Sequence, residues 1–178
     1  MLKKKFIISI IIIIYLLLCK NIYNYYSYIS RTIINNDPKI SQIIDSDYIG
    51  YIYIPKINLK KNLFSIESNK NNLEYNVEIL KETIFPNNNS NNSIIFLAAH
   101  SGPGDNAYFN NLKLLKINDE IILSYNNIIY KYIIIEKKEV IKNGYIWDNR
   151  KSNDEIVLTT CSDNKDKQLI INGILKSN

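Results

Sequence analysis

The chain has 178 residues and a mass of 20.8 kDa, room for one domain with a real core and too little for two. Its 46% hydrophobic and 22% charged residues exclude a disordered chain, and five Gly with four Pro exclude collagen-like or linker-like sequence. The net charge of +5 arises before Asp45, where Lys3, Lys4, Lys5, Lys20, Arg31 and Lys39 face only Asp37, and the rest of the chain is balanced. A nucleic-acid binder concentrates its cations on the folded module, so no nucleic-acid partner is expected.

Residues 1–5 read as a cytoplasmic tail, 6–26 as a transmembrane anchor, 27–47 as a stalk and 48–178 as an extracellular domain. Three lysines precede a charge-free apolar run from Phe6 to Cys19, and the positive-inside bias keeps that end in the cytoplasm. The run is shorter than the roughly 20 residues a bilayer needs. Ile22, Tyr23, Tyr25 and Tyr26 extend it into the outer interface while Lys20 snorkels. Leu16-Leu17-Leu18-Cys19-Lys20 lacks the small residues of a processing site, so the anchor reads as uncleaved and Cys19 as unlipidated. No later apolar segment is long enough to span, which predicts a single-pass topology.

The body reads as mainly β, with strands expected at 48–54, 93–99, 120–125, 128–140, 155–160 and 168–175. Ile, Val, Tyr and Thr enrichment and turn-like separators fit the strand template. Tyr125-Asn126-Asn127-Ile128 reads as a tight hairpin turn, because Asn tolerates the left-handed backbone such turns require. Short helices are expected at 71–80 and 107–115, the second setting Phe109 and Leu112 on one face. The Asn-rich run 87–92 reads as a surface loop. Many short strands with few helices predict a closed or nearly closed β-barrel behind one N-terminal transmembrane helix.

Reactive residues are scarce. His100 is the only histidine, and Cys161 the only cysteine beyond the apolar run, so it has no disulfide partner in the domain. A lone thiol on the oxidising side of a membrane is either a buried apolar filler or a reactive group. His100 closes one predicted strand and Cys161 another, each before a polar loop. Adjacent strands ending at one rim would bring thiol and imidazole together for nucleophilic catalysis.

These segments, in this order, resemble the sortase family of membrane-anchored cysteine transpeptidases. Gly50-Tyr51-Ile52-Tyr53-Ile54-Pro55-Lys56-Ile57 is similar to the family's opening strand. Leu97-Ala98-Ala99-His100, followed by Phe109-Asn110-Asn111-Leu112, resembles its histidine block, and Asn118-Asp119 stands where a Gly-Asp is usual. Val157-Leu158-Thr159-Thr160-Cys161 resembles its Thr-Leu-x-Thr-Cys signature. The resemblance spans about residues 50–175 and breaks at one position. The family has an arginine soon after the cysteine, but the only arginines here are Arg31 and Arg150. Aligning Leu169-Ile170-Ile171 with the last strand puts Gln168 in the arginine slot and Lys167 on the opposite face. Lys165, Lys167 or Arg150 reaching in through a bend is the alternative.

The resemblance implies that Cys161 attacks a backbone carbonyl in a C-terminal sorting motif of secreted proteins. His100 would serve as acid and base, and Thr160 would help bind substrate or oxyanion. The thioacyl group would pass to an amine of a peptidoglycan precursor. No metal or other cofactor is expected. The family's pilin-polymerising type carries a C-terminal membrane segment that this sequence lacks, so a housekeeping or small-substrate anchoring role is expected instead. Two other readings remain: a degenerate sortase-like module that binds peptides at the cell surface without turnover, motivated by Gln168, and an L,D-transpeptidase, whose Ser-x-Gly-Cys-type turn is missing a glycine here.

Overall fold

The computed structural model describes residues 47–86, 92–143 and 150–176, together with Lys20 and Ile22. The tail, the anchor and the stalk therefore lie outside the described residues, apart from those two residues and Asp47, as do 87–91 of the Asn-rich loop. Among the described residues no helix is long and apolar enough to cross a membrane.

Within the compact unit Asp47–Asn178, the strands are β1 (Tyr48–Ile54), β2 (Leu59–Phe64), β3 (Glu78–Ile79), β4 (Ile94–Ala98), β5 (Glu120–Tyr125), β6 (Ile128–Ile141), β7 (Glu155–Cys161) and β8 (Lys167–Leu175). They form one sheet in the order β2-β1-β5-β6-β8-β7-β4-β3, curled into a nearly closed barrel. Every pairing is antiparallel except β4 with β7. At the seam between the two edge strands, Asn76 Nδ2 donates to Asn62 O of β2 at 2.9 Å.

Local chemistry explains the turns. Asn126 and Asn127 both take positive φ, at 49° and 64°, the pair of left-handed residues that a two-residue hairpin between β5 and β6 requires. Gly50 lies where β1 crosses β5 most closely, and a Cβ there would sit 1.9 Å from Ser124 O. Residues of one parity face the barrel interior, where Ile52, Ile54, Leu97, Leu123, Ile156 and Ile171 are sealed from solvent. The opposite face of β4, β7 and β8 carries a second apolar cluster: Ile94, Phe96, Val157 and Ile170, with Leu80 and Val140 against it. Burying each such side chain contributes about 1.5–3 kcal/mol.

The expected strands are present with small changes of boundary, and β2 and β3 are additional. The expected helices are not. At 71–80 the asparagines divert the backbone: Asn71 Oδ1 accepts from Ile79 N at 2.7 Å while its Nδ2 donates to Ile79 O at 2.9 Å. Asn72 Oδ1 takes the Glu74 amide at 2.8 Å. These side chains supply partners that a helix would have drawn from its own backbone, leaving turns and then β3. At 107–115, Phe109 N donates to His100 O at 2.9 Å, and the amides of Leu112, Leu114 and Leu115 reach back three residues. The segment is a run of turns ending in a 3-10 turn, Leu112–Leu114, although Phe109 and Leu112 are both fully buried.

One irregularity positions the site. The β6–β8 register slips between Ile134 and Glu136. Tyr132 and Ile134 point into the barrel, and simple alternation would send Lys138, Val140 and Lys142 inward too. The extra residue reverses the parity, so Val140 pairs with Gln168 on the outer face instead.

Candidate active site

Parallel pairing of β4 and β7 ends at Ala98↔Thr159, and continuing that register by two residues sets His100 level with Cys161. Three contacts hold the two ends together. Ala99 N donates to Thr159 O at 3.4 Å, Thr160 Oγ1 to Ala99 O at 2.7 Å, and Ser101 Oγ to Cys161 O at 2.6 Å. By strand parity Cys161 and His100 share the outer face with Val157, Ile170 and Phe96. On the other side of the cysteine, antiparallel β8 sets Gln168 directly opposite Cys161. Lys167 pairs with Ile141 on the reverse face.

Cys161 is exposed and unbridged, which removes the buried-filler reading of this thiol. Lys142, just past the end of β6, stretches its Nζ to 3.3 Å from Sγ. His100 is partly exposed, and its Nε2 lies 3.3 Å from Glu74 Oε1. Its backbone is fixed by Phe109, whose amide donates to His100 O. Thr160 is buried, and its hydroxyl proton goes to Ala99 O. In this geometry its hydroxyl ties β7 to β4. Arg150 lies elsewhere. Its guanidinium donates to the carbonyls of Ser152, Ser93 and Asn153, where β4 and β7 begin. The seven residue steps from Ser93 to His100 span about 23 Å of extended chain, far beyond an arginine's reach.

Sequence reasoning missed Glu74, Ser101 and Lys142. Ser101 was legible in principle as the neighbour of His100. Glu74 lies in turns made by asparagine side chains, and Lys142 depends on the β6 bulge. A cavity of about 280 Å³ reaches Cys161, lined by Phe109, Thr160 and Leu169 of the interior face and by Ser101 and Asp163 at the rim. Lys138, which pairs with Ile170 on the outer face, and Cys161 itself also line it.

The nearly closed mixed barrel sets a thiol and an imidazole at the ends of adjacent parallel strands, an arrangement suited to a cysteine nucleophile. The sortase-domain family model matches residues 52–175. The chain belongs to the sortase family, and so to the sortase-type transpeptidases in general. Among solved structures it is similar to sortase C1 of Streptococcus agalactiae, at 26% identity over 76% of this chain and 71% of that one, with a TM-score of 0.62. Sortase C1 of Streptococcus suis shares the fold at 21% identity, 80% and 87% coverage and a TM-score of 0.64. Sortase A of Corynebacterium diphtheriae does so at 18% identity, 80% and 71% coverage and a TM-score of 0.63. Comparison with curated proteins gives no match.

Proposed function

We propose that the protein is a cysteine transpeptidase that cleaves a C-terminal sorting motif of secreted proteins and transfers them to a cell-wall amine. In the attacking form Cys161 is a thiolate and His100 carries the proton. Sγ bonds to the scissile carbonyl carbon, the C–N bond breaks, and His100 gives its proton to the departing amine. The acceptor amine, on a peptidoglycan precursor, then attacks the thioester. It gives its proton to His100, forms the new amide and frees the thiolate. Gln168, level with Cys161 in the former arginine slot, donates one amide hydrogen bond to the developing oxyanion or to a substrate carbonyl. We place the domain outside the cell on a single uncleaved N-terminal helix.

The observation that supports this reading best is the shared level and face of His100, Cys161 and Gln168 across three neighbouring strands. The test is a library of dye–quencher peptides with hydroxylamine as the trapping amine. Peptide hydroxamate should form with the wild-type chain and not with Cys161→Ala. If no peptide in the library is cleaved by a folded wild-type protein, the degenerate binding module becomes the better reading.

A further inference from the structure

The transpeptidase reading leaves one chemical demand unmet. A thiolate and the oxyanion that follows it call for a nearby positive charge, and Gln168 brings none. Among the described residues, one cation meets the sulfur. Lys142 Nζ stands 3.3 Å from Cys161 Sγ, within contact for a charge-assisted hydrogen bond to sulfur. Two features of the fold put it there. The register slip at Ile134/Glu136 turns Val140, and Lys142 two residues on, to the face of Gln168 and Cys161. The backbone bond from Lys142 N to Asp166 O, at 2.9 Å, then fixes the strand end just before the chain leaves the sheet. From β6 the side chain crosses β8 to reach β7, a separation of about 9.6 Å between second-neighbour strands. Only a long, extended side chain spans that gap. Two nearby carboxylates are otherwise engaged, Glu139 with Ser162 Oγ at 2.6 Å and Asp163 with Lys113 Nζ at 3.1 Å.

We propose that Lys142 is a catalytic residue of this protein, supplying from β6 the positive charge at the Cys161 sulfur for which β8 carries no arginine. It makes and breaks no covalent bond. It keeps its three protons throughout while charge moves from sulfur to the carbonyl oxygen and back. The proposal rests on the transpeptidase reading for its role in turnover, but the charge at the thiol is measurable without turnover.

The test uses the full-length chain in a neutral detergent and two alkylating reagents, anionic iodoacetate and neutral iodoacetamide. Modification of Cys161 is followed by peptide mass spectrometry. A cation at the sulfur favours the anionic reagent, so the iodoacetate-to-iodoacetamide rate ratio should fall about fivefold in Lys142→Met. Lys142→Arg should restore it. In the hydroxamate assay Lys142→Met should lower kcat about tenfold with KM little changed, and Lys142→Arg should recover most of it. An unchanged reagent ratio in Lys142→Met overturns the proposal. A lowered ratio with unaltered kcat also overturns it, since the charge would be present and unused. Failure of the wild type to cleave any peptide counts against the transpeptidase reading alone, and the reagent ratio still decides whether Lys142 acts on the thiol.

Discussion

Replacing Gln168 with arginine tests whether the slot opposite Cys161 acts on the reacting carbonyl. Opposed positions on an antiparallel pair hold their β-carbons about 5 Å apart, so a guanidinium at 168 reaches any group bonded to Sγ. A full oxyanion donor is worth about 3–4 kcal/mol of activation free energy. A charge-assisted bond is roughly twice as strong as a neutral one, so exchanging amide for guanidinium gains about half of that. That is about 1.5–2 kcal/mol, or about 10–30-fold in rate. Lys142 works against this gain. Two cations about 6 Å apart repel by about 0.7 kcal/mol at the dielectric of water and about 3 kcal/mol at an effective value of 20. Lys142 is exposed, so the lower figure governs and Gln168→Arg should raise kcat/KM about fivefold. In a Lys142→Met background the repulsion is gone and the gain should reach the full 10–30-fold. The assay is kcat/KM for hydroxamate formation across the four-member cycle. Equal gains in both backgrounds would refute the coupling of the two positions. A loss in both would show that residue 168 does not face the carbonyl, a register error of one residue.

His100→Ala should lower turnover by about 10²–10⁴-fold without slowing Cys161 alkylation by a neutral reagent to the same degree, because the proton to the leaving amine is lost and no other histidine exists. Undiminished turnover would exclude imidazole chemistry. Glu74→Gln should cost only about threefold in kcat at unchanged KM, since the pair with His100 is largely exposed, and Glu74→Asp should recover activity. A loss as large as that of His100→Ala would mean that Glu74 does more than orient the ring. Arg150→Ala should destabilise the domain by about 2 kcal/mol in urea unfolding, through loss of its carbonyl partners at the start of β4 and β7, and leave kcat of the folded protein intact. Reduced kcat at full stability would return Arg150 to the active site. Protease added to intact, wall-stripped cells should digest the domain from Tyr48 onward, and full protection would exclude the extracellular placement.

Legibility from the sequence followed the strength of each segment's own pattern. β1 is a Tyr- and Ile-rich run between Asp47 and Pro55 and β5 an apolar run between Asp119 and Asn126, and their limits could be read directly. β2 was missed because it is an edge strand with Lys60, Lys61 and Asn62 at its centre. Such charge is how edges resist further pairing, and it hides the strand from a hydrophobic count. β3 is two residues long and exists because Asn71 brackets the backbone of Ile79. The cysteine and histidine were legible because each closes an apolar run and neither has a competitor. Gln168 was legible through the alternation of β8. Lys142 was not, because its face is set by a bulge seven residues upstream, and nothing in Ile133-Ile134-Ile135 says which of three isoleucines the ladder will skip.

That bulge also explains how two functions usually joined in one arginine can be divided here. A guanidinium is charged and directional at once, holding an oxygen with two parallel donors. In the mechanism we propose, direction comes from Gln168, which the ladder sets opposite Cys161, and charge comes from Lys142, a point cation on a flexible stem two strands away. A point charge acts on sulfur and oxyanion alike and needs little alignment, whereas an amide donor acts only where its hydrogen points. Neutralising Lys142 should therefore slow the chemical step with any peptide to a similar extent. Truncating Gln168 should instead discriminate between peptides, according to how each presents its carbonyl.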